Sequence, residues 1–262
     1  MGIITLTTDF GVESPYVAAM KGVIFSLNPA AVVVDLSHAI PPQNIRQAAI
    51  VLEEVAPYYP AGSIHVVVVD PGVGTDRALV YARIGEQHYL APDNGVLSRL
   101  VWLGWVPEEV RRLENPRFWR HPVSRTFHGR DILAPSAAYL SLGVSPAELG
   151  PPAQLNVLLD WPEVRILPDR IEGVVEEIDS FGNLLTNIRA EALAGRPTDR
   201  RAVVVCGIYE TYGIYSAYAQ QPEDSFIALI SSSGRLELAL VGSHAARRLG
   251  ISVGTPVTVA WE

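Results

Sequence analysis

The first part of the chain alternates short β-branched runs with longer segments of helical periodicity. The runs are IITLTT, AVVVDLS and SIHVVVVD, and the segments PYVAAMKGVIFSLN and QNIRQAAIVLEEVAPYY lie between them. Strands separated by helices favour a mostly parallel sheet, because a parallel pair needs a long crossover connection and a helix supplies it. This alternation predicts an α/β fold with flanking helices, and RDILAPSAAYLSLG adds a further helix.

The pattern changes in the second half of the chain. The stretch 150–168 contains four prolines and no clear period, which is typical of a linker. Beyond it, short apolar runs are separated by turn residues, with one helical segment at SHAARRLG. We therefore predict an N-terminal α/β domain over residues 1–155, a linker over 156–168 and a smaller C-terminal β-barrel-like domain over 169–262.

Composition limits the kinds of partner and compartment. The net charge of -8 disfavours nucleic acid as a partner, because a polyanion is repelled by that field, whereas a cationic small ligand suits it. The single cysteine, Cys206, leaves no intramolecular disulfide and no cysteine-based zinc site. Neither a signal peptide nor an apolar run of about 18 residues is present, so we expect a cytoplasmic protein that does not bind membranes.

Three of the predicted strands end in polar stretches that contain an acidic residue, Asp9, Asp35 and Asp70. In an open α/β sheet the carboxyl ends of the strands form the crevice that binds ligands, so these acids mark a candidate site. The alternative is structural, since an aspartate after a strand often caps the next helix by accepting a backbone N–H. His65 lies within a strand and is interpreted as a core histidine with satisfied hydrogen bonds.

Two further clusters carry polar and aromatic residues. TFHGRD places His128, Arg130 and Asp131 directly before an apolar helix, which a purely structural role explains poorly. IDSFGNLLTNI places Phe181 and Asn183 in a turn between strands, where a planar ligand could stack and find amide hydrogen bonds. APDNG, by contrast, is interpreted as a turn before a capped helix.

Several familiar site motifs fail on inspection. DPGVGTDR offers Gly72 and Gly74, but Arg77 holds the place of the third glycine in the dinucleotide-binding fingerprint. The sequence contains no P-loop, no G-x-S-x-G elbow and no H-E-x-x-H helix. The chemistry therefore has to be inferred from the polar clusters themselves.

Eight segments, in order along the chain, carry that inference. They are TLTTDFG, YVAAMKG, DLSHAIPPQNIRQAA, IHVVVVDPGVGT, APDNG, TFHGRDILAP, IDSFGNLLTNI and SSSGRLELAL. Together they resemble the signatures of the S-adenosyl-L-methionine hydroxide adenosyltransferases, with one departure at Ala18, where the family often has glycine. The resemblance implies hydrolysis of S-adenosylmethionine to adenosine and L-methionine, by water or hydroxide that attacks the ribose 5′ carbon. It also implies no cofactor, no metal ion, and a homotrimer with active sites between subunits.

The resemblance assigns roles to individual residues. It carries the family's Asp-Arg-His trio onto Asp70, Arg77 and His128, of which Asp70 would hold the attacking water while the other two orient it. No general acid is implied, since a thioether that leaves a sulfonium carries no negative charge. The residues placed around the substrate are Asp9 at the ribose, Asp179 at the methionine ammonium, Phe181 and Asn183 at the nucleoside, and Ser231, Ser232 and Glu237 near the adenine.

Three alternatives stay open. Halogenating relatives share the fold, but they lack the arginine of the trio, contain an extra loop, and carry an aromatic residue and a serine where this chain has His128 and Gly129. A metal-dependent hydrolase could use an Asp/His cluster of Asp9, His38, Asp70 and His128. A non-catalytic protein would bind S-adenosylmethionine without turnover.

Overall fold

The computed structural model of the protein describes residues 2–261. Two compact units divide between Trp161 and Pro162. The limits of the two domains and of the linker stay predictions. Within the described part of the chain, every helix is too short or too polar to cross a membrane.

The first unit is a six-stranded sheet with helices on both faces. Its strands are β1 (Ile3–Thr8), β2 (Val32–Ser37), β3 (Ile64–Val68), β4 (Leu79–Ile84), β5 (Gln87–Pro92) and β6 (Pro107–Arg112). Its helices are α1 (Tyr16–Leu27), α2 (Ile45–Val55), α3 (Ser98–Trp102) and α4 (Ala134–Ser141). Strands β2, β1, β3 and β5 run parallel in that order, β4 pairs antiparallel with β5, and β6 pairs antiparallel with β4. The predicted α/β fold with a mostly parallel sheet is confirmed.

Strand β3 explains why helices cover both faces of the sheet. Val66 and Val68 pack in one core with α1 and α4, whereas Val67 and Val69 pack in the other core with α2 and α3. A strand buried on both faces needs a continuous apolar run, which is the VVVV of the sequence. Asp70 therefore follows at the point where the chain leaves both cores.

His65 is fully buried in β3, and the core interpretation is confirmed. Its Nδ1 lies 2.8 Å from Thr5 Oγ1 and its Nε2 lies 2.9 Å from Gln87 Oε1. Because an amide oxygen only accepts, Nε2 carries the proton and Nδ1 accepts from the threonine hydroxyl. Burial lowers the pKa of His65 to about 4, so this histidine is neutral at physiological pH.

The second unit is a barrel-like sheet. Its strands are β7 (Arg165–Ile166), β8 (Arg170–Ile178), β9 (Leu184–Arg189), β10 (Ala202–Cys206), β11 (Tyr209–Tyr212), β12 (Ile214–Tyr215), β13 (Phe226–Ile230), β14 (Arg235–Leu240) and β15 (Pro256–Trp261), with α5 (Ala245–Leu249) after β14. The strand order is β11, β10, β15, β8, β9, β14, β13 and β12, and β7 pairs with β8. Side chains of β8, β9, β10, β14 and β15 share one core with α5, which confirms the barrel-like prediction.

Several elements differ from the sequence-based expectations. Strands β4, β5 and β6 were not predicted, and Gly85, at φ +59°, lies in the turn that joins β4 to β5. Helix α2 ends at Val55 because Pro57 cannot continue it, and a 3-10 turn follows at Ala56–Tyr58. The predicted helix at 130–143 begins as a wide π turn over Gly129–Leu133 and continues as α4.

Candidate active site

A pocket of about 240 Å³ opens at the carboxyl ends of β1 and β3. Asp9 follows β1 and Asp70 follows β3, and both line the pocket together with His128. Asp35 lies within β2, near its carboxyl end, and pairs instead with Lys21 Nζ at 2.6 Å. Two of the three strand-end acids therefore meet in one crevice.

Asp70 is bound by the guanidinium of Arg77. Arg77 Nε lies 2.9 Å from Asp70 Oδ1 and 3.0 Å from Oδ2, and Nη2 also donates to Oδ2. The side chain of Arg77 is only 11% exposed and that of Asp70 only 6%. The planar guanidinium of arginine can donate two hydrogen bonds to one carboxylate, as it does here. The helix-cap alternative is therefore wrong for Asp70, because its carboxylate serves an ion pair within its own loop.

Two glycines allow this loop to close. A Cβ on Gly74 would lie 2.6 Å from the backbone oxygen of Arg125, and Gly74 has a φ of +82°. A Cβ on Gly72 would lie 3.2 Å from Arg77 Cδ. The glycines of DPGVGT thus let the loop pack against its own arginine and against the segment that leads to His128.

His128 extends the ion pair to a third residue. Its Nδ1 lies 3.0 Å from Arg77 Nη2. Since arginine can only donate, Nδ1 accepts and the neutral ring carries its proton on Nε2. Burial first, and the charge of Arg77 second, lower the pKa of His128, against smaller opposite effects of Asp70 and Asp131. The ring is therefore a neutral hydrogen-bond donor at physiological pH.

Local backbone fixes where His128 lies. The π turn begins directly after it, and π turns occur often at functional sites. A Cβ on Gly129 would lie 2.8 Å from Val68 Cγ1, so glycine is required where this turn meets β3. The sequence segment TFHGRD contains this glycine, but only the structure shows that Gly129 is needed because it packs against Val68.

Asp131, singled out in the sequence without a role, anchors the same segment. Its buried carboxylate accepts from Arg130 Nε at 2.7 Å, from Arg120 Nη1 at 3.2 Å and from the backbone N–H of Ser124 at 2.8 Å. Burial acts to raise the pKa of Asp131, but these hydrogen bonds outweigh it and lower the pKa. Asp131 thus holds together the loop that precedes His128.

Asp9 is fixed by a residue that the sequence analysis missed. The backbone N–H of Gln43 donates to Asp9 Oδ2 at 2.8 Å, and Gln43 lines the same pocket. Gln43 has a φ of +65°, a strained conformation for a residue other than glycine, asparagine or aspartate. Helix α2 is capped by Asn44 and α1 has no side-chain cap, so the cap alternative is wrong for Asp9 as well.

His38, considered with the strand-end acids as a metal ligand, has a protein oxygen within 3.0 Å of each ring nitrogen. Its Nδ1 lies 3.0 Å from Thr8 Oγ1, and its Nε2 lies 3.0 Å from Asp35 Oδ1. Within residues 2–261, no group of three or more His, Cys, Asp and Glu side chains has the geometry to hold a metal ion.

The second unit contains a separate pocket of about 470 Å³. Phe181, Asn183 and Tyr218 line it, and Phe181 is 77% exposed. Asp179 Oδ1 accepts the backbone N–H groups of Phe181 and Asn183 at 2.9 and 2.8 Å, and its Oδ2 accepts from Asn183 Nδ2 at 3.0 Å. Asp179 thus organises the turn that presents the phenyl ring.

Glu237 joins this cluster through Tyr218, which sequence reasoning also missed. The Tyr218 hydroxyl donates to Glu237 Oε1 at 2.5 Å and lies 3.5 Å from Asn183 Nδ2. Burial raises the pKa of Glu237, and the nearby Asp179 carboxylate adds to that rise. Tyr218 lies in a loop without a strand pattern, so nothing in the sequence alone marks it.

Ser231 and Ser232 lie away from that cluster. They belong to the turn between β13 and β14, where Gly234 accepts the backbone N–H of Ala190 at 2.8 Å. Since Leu238 of β14 pairs with Leu184 while Arg235 pairs with Arg189, this turn lies at the opposite end of β9 from Asn183. The six residues of β9 span about 20 Å. The structure thus gathers Asp179, Phe181, Asn183 and Glu237, but not the two serines.

The chain is similar to known proteins along most of its length. The N-terminal domain of the SAM hydroxide adenosyltransferases matches residues 4–150, and their C-terminal domain matches residues 173–258. A relative from Thermus thermophilus, named (R)-S-adenosyl-L-methionine hydrolase, is 40% identical over 95% of this chain and 96% of its own length.

More distant proteins share the whole length too. The crystal structure of an uncharacterized conserved protein from Thermotoga maritima has a TM-score of 0.91 and 31% identity, covering 98% of this chain and 100% of that one. A fluorinase from an Actinoplanes species is 25% identical over 98% of this chain and 97% of its own. Because both family domains match in order, the chain belongs to the S-adenosyl-L-methionine hydroxide adenosyltransferase family.

Proposed function

We propose that the protein hydrolyses S-adenosyl-L-methionine to adenosine and L-methionine. The observation that carries the proposal is a hydrogen-bonded series in which Arg77 joins Asp70 to His128, while Asp70, His128 and Asp9 line one pocket. The hydrolase name of the Thermus relative, at 40% identity, supports the same reaction. The halogenase alternative is weaker, because the fluorinase is 25% identical and His128 and Gly129 are retained here.

The reaction is a displacement at the ribose 5′ carbon. The water oxygen forms a bond to this carbon while the carbon–sulfur bond breaks. The electron pair of the carbon–sulfur bond stays on the sulfur. The sulfonium becomes the neutral thioether of methionine, so the leaving group takes no proton. One proton leaves the attacking water and passes through the Asp70 carboxylate to solvent.

Asp70 holds the water in this proposal. A carboxylate has about four acceptor sites, and Arg77 occupies more of them on Oδ2 than on Oδ1. Oδ1 therefore has room to accept a hydrogen bond from water. Water is a weak nucleophile, so a fixed in-line position contributes much of the rate, and a carboxylate acceptor makes its oxygen more electron-rich.

His128 orients the same water from another side. Its Nδ1 is used by Arg77, which leaves the Nε2 proton as the donor. A donor to the water oxygen fixes one lone pair and leaves the other directed at the carbon. Arg77 links the two groups, so that Asp70 and His128 keep one mutual arrangement.

Other residues bind the substrate. Asp9 accepts from the ribose hydroxyls, with Oδ2 already held by Gln43. Phe181 stacks on the adenine, while Asn183 and Glu237 provide polar contacts and Asp179 faces the ammonium group of the methionine. The expected place of Ser231 and Ser232 near the adenine is left out of this proposal, because they lie at the other end of β9 from Asn183.

We propose further that the active protein is a homotrimer with sites between subunits. The pocket beside Asp70 is about 240 Å³, smaller than the roughly 300–1,000 Å³ of usual small-molecule sites, which supports completion by a second surface. The exposed ring of Phe181 offers such a surface. A cytoplasmic location stays a prediction.

The test is incubation of the purified chain with S-adenosylmethionine and chromatography of the products, with and without chloride, fluoride and a chelator. Adenosine and methionine in equal amounts, unaffected by the additions, are expected. A halogenated deoxyadenosine would replace the proposal by the halogenase alternative. Loss of turnover with the chelator would favour a metal-dependent hydrolase, and binding without products would favour a non-catalytic protein.

A further inference from the structure

The loop of residues 69–78, which carries Asp70 and Arg77, is held at both ends by two successive residues of another turn. The side-chain Nδ2 of Asn94 donates to the carbonyl oxygen of Val69 at 2.8 Å. The backbone N–H of Asp93 donates to the carbonyl oxygen of Ala78 at 2.9 Å. These two hydrogen bonds fix the residue before Asp70 and the residue after Arg77.

The bond from Asn94 takes the place of a strand contact. The register between β3 and β5 ends where Val66 pairs with Leu90, so Val69 lies beyond the ladder. Val69 is fully buried, and water cannot replace a lost partner of its carbonyl group. The amide of Asn94 therefore determines the orientation of the peptide plane between Val69 and Asp70.

Asn94 is itself held by its turn. Its Oδ1 accepts the backbone N–H of Val96 at 3.2 Å. Gly95 has a φ of +95°, and a Cβ there would lie 2.7 Å from Leu159 Cγ, so the turn depends on glycine. The backbone thus aims the amide of Asn94 at the loop.

We propose that Asn94 is a positioning residue for Asp70 and acts through the carbonyl group of Val69. The inference rests on the proposed function, in which Asp70 holds the attacking water. The peptide plane sets the Cα of Asp70 and with it the direction of the carboxylate toward Arg77 and the water. In such a geometry a displacement of about 1 Å costs about a hundredfold in rate.

Asn94→Ala removes the donor and tests this role by steady-state kinetics of adenosine release. We expect kcat to fall by about ten- to hundredfold while KM changes by less than about twofold. Asn94→Ser keeps an acceptor for the N–H of Val96 and is too short to reach Val69, so it gives the same result if the alanine variant folds poorly. Unchanged kcat in a folded variant, or a change in KM alone, overturns the inference.

Asn115 provides a matched control in the same unit. Its Oδ1 accepts the backbone N–H of Arg117 at 3.1 Å, and its Nδ2 donates to the carbonyl oxygen of Glu148 at 2.7 Å. Asn115→Ala therefore removes the same two kinds of hydrogen bond outside the 69–78 loop. It should leave kcat and KM at the wild-type values, and an equal loss of kcat would assign the effect of Asn94 to general destabilisation.

A double-mutant cycle distinguishes this inference from the function on which it rests. If Asn94 acts through Asp70, then Asn94→Ala should add little to the loss already caused by Asp70→Asn. The same fold-loss in both backgrounds would overturn the inference and leave the proposed function intact. A wild-type chain that releases no adenosine would overturn both.

Discussion

The 69–78 loop and the turn at 179–183 both present groups to a pocket, yet they are built in opposite ways. Asp70 and Arg77 are nearly buried and locked by hydrogen bonds, whereas Phe181 is 77% exposed. A group that holds one water in line must be fixed, while an exposed ring offers a face for stacking. The proposed function therefore predicts chemistry in the first region and substrate recognition in the second, and measurements of kcat and KM can separate the two.

The largest expected effect is that of Asp70→Asn. Asparagine keeps the size and one acceptor, but it removes the charge that pairs with Arg77 and receives the proton. We expect kcat to drop by roughly a hundredfold or more, as is typical of losing a general base, with little change in KM. Steady-state assays with saturating S-adenosylmethionine measure the drop directly.

Asp76 is the control for that variant. It lies exposed on the same loop, so Asp76→Asn removes one negative charge without touching the ion pair. Turnover near the wild-type value is expected for Asp76→Asn. Near-normal turnover in Asp70→Asn would instead show that the strand-end acid is scaffolding and would remove the catalytic assignment.

A smaller effect, on KM and not on kcat, is expected from Phe181→Ala. Stacking of a base on an aromatic ring contributes about 1–3 kcal/mol, so KM should rise by about 5-fold to about 150-fold while kcat at saturation changes little. Tyr58→Ala is the control, since Tyr58 is also an exposed aromatic residue, 80% accessible, in the first unit. A fall in kcat at unchanged KM would contradict the division into chemistry and recognition.

The same two variants test the inter-subunit site. Mixing Asp70→Asn and Phe181→Ala chains, unfolded together and refolded, should restore part of the activity at low substrate. In mixed trimers some sites combine a wild-type Asp70 from one chain with a wild-type Phe181 from another. Activity that stays at the mean of the two separate variants would place the whole site within one chain.

The sequence alone marked the strand-end acids, the TFHGRD segment and the turn with Phe181 and Asn183. The grouping of Asp70 with Arg77 and His128, and the place of Asp179, came from the family resemblance. Asp70 and Arg77 pair within one loop, but His128 is 51 residues from Arg77, so local sequence signals could not join it to them. Gln43 and Tyr218 were missed because the φ of the first and the contact of the second arise from tertiary packing.

The fold followed the same rule. The apolar run of β3 predicted a strand, and the structure shows that this strand is buried on both faces, which leaves no position for a polar residue along the run VVVV. Strand β6 reads PEEVRR, and its charges are typical of a protected sheet edge, so it lacks a strand signal. The packing of Gly129 on Val68 depends on the tertiary structure, and the separation of Ser231 from Asn183 depends on the register between β9 and β14. Neither can be deduced from the sequence alone.

The smallest expected effect concerns His128 and pH. The pKa of His128 lies below the usual 6.5, chiefly because of burial and then because of the Arg77 charge. The ring therefore stays neutral until the pH falls through this lowered pKa. Protonation would place an N–H on Nδ1, where Arg77 also donates, and the link between the two residues would break. We therefore expect kcat to be level above pH 6.5 and to decline as the pH falls through the lowered pKa of His128.

His128→Asn isolates this decline. The asparagine oxygen lies where Nδ1 lies, so it accepts from Arg77 at every pH, but it offers no donor in the place of Nε2. Loss of one neutral hydrogen bond of about 1 kcal/mol corresponds to a kcat about five- to tenfold lower at neutral pH. The pH profile of kcat should also lose its acid decline. If the decline persists unchanged in the variant, another group titrates, and the neutral imidazole is not what couples the water to the ion pair of Asp70 and Arg77.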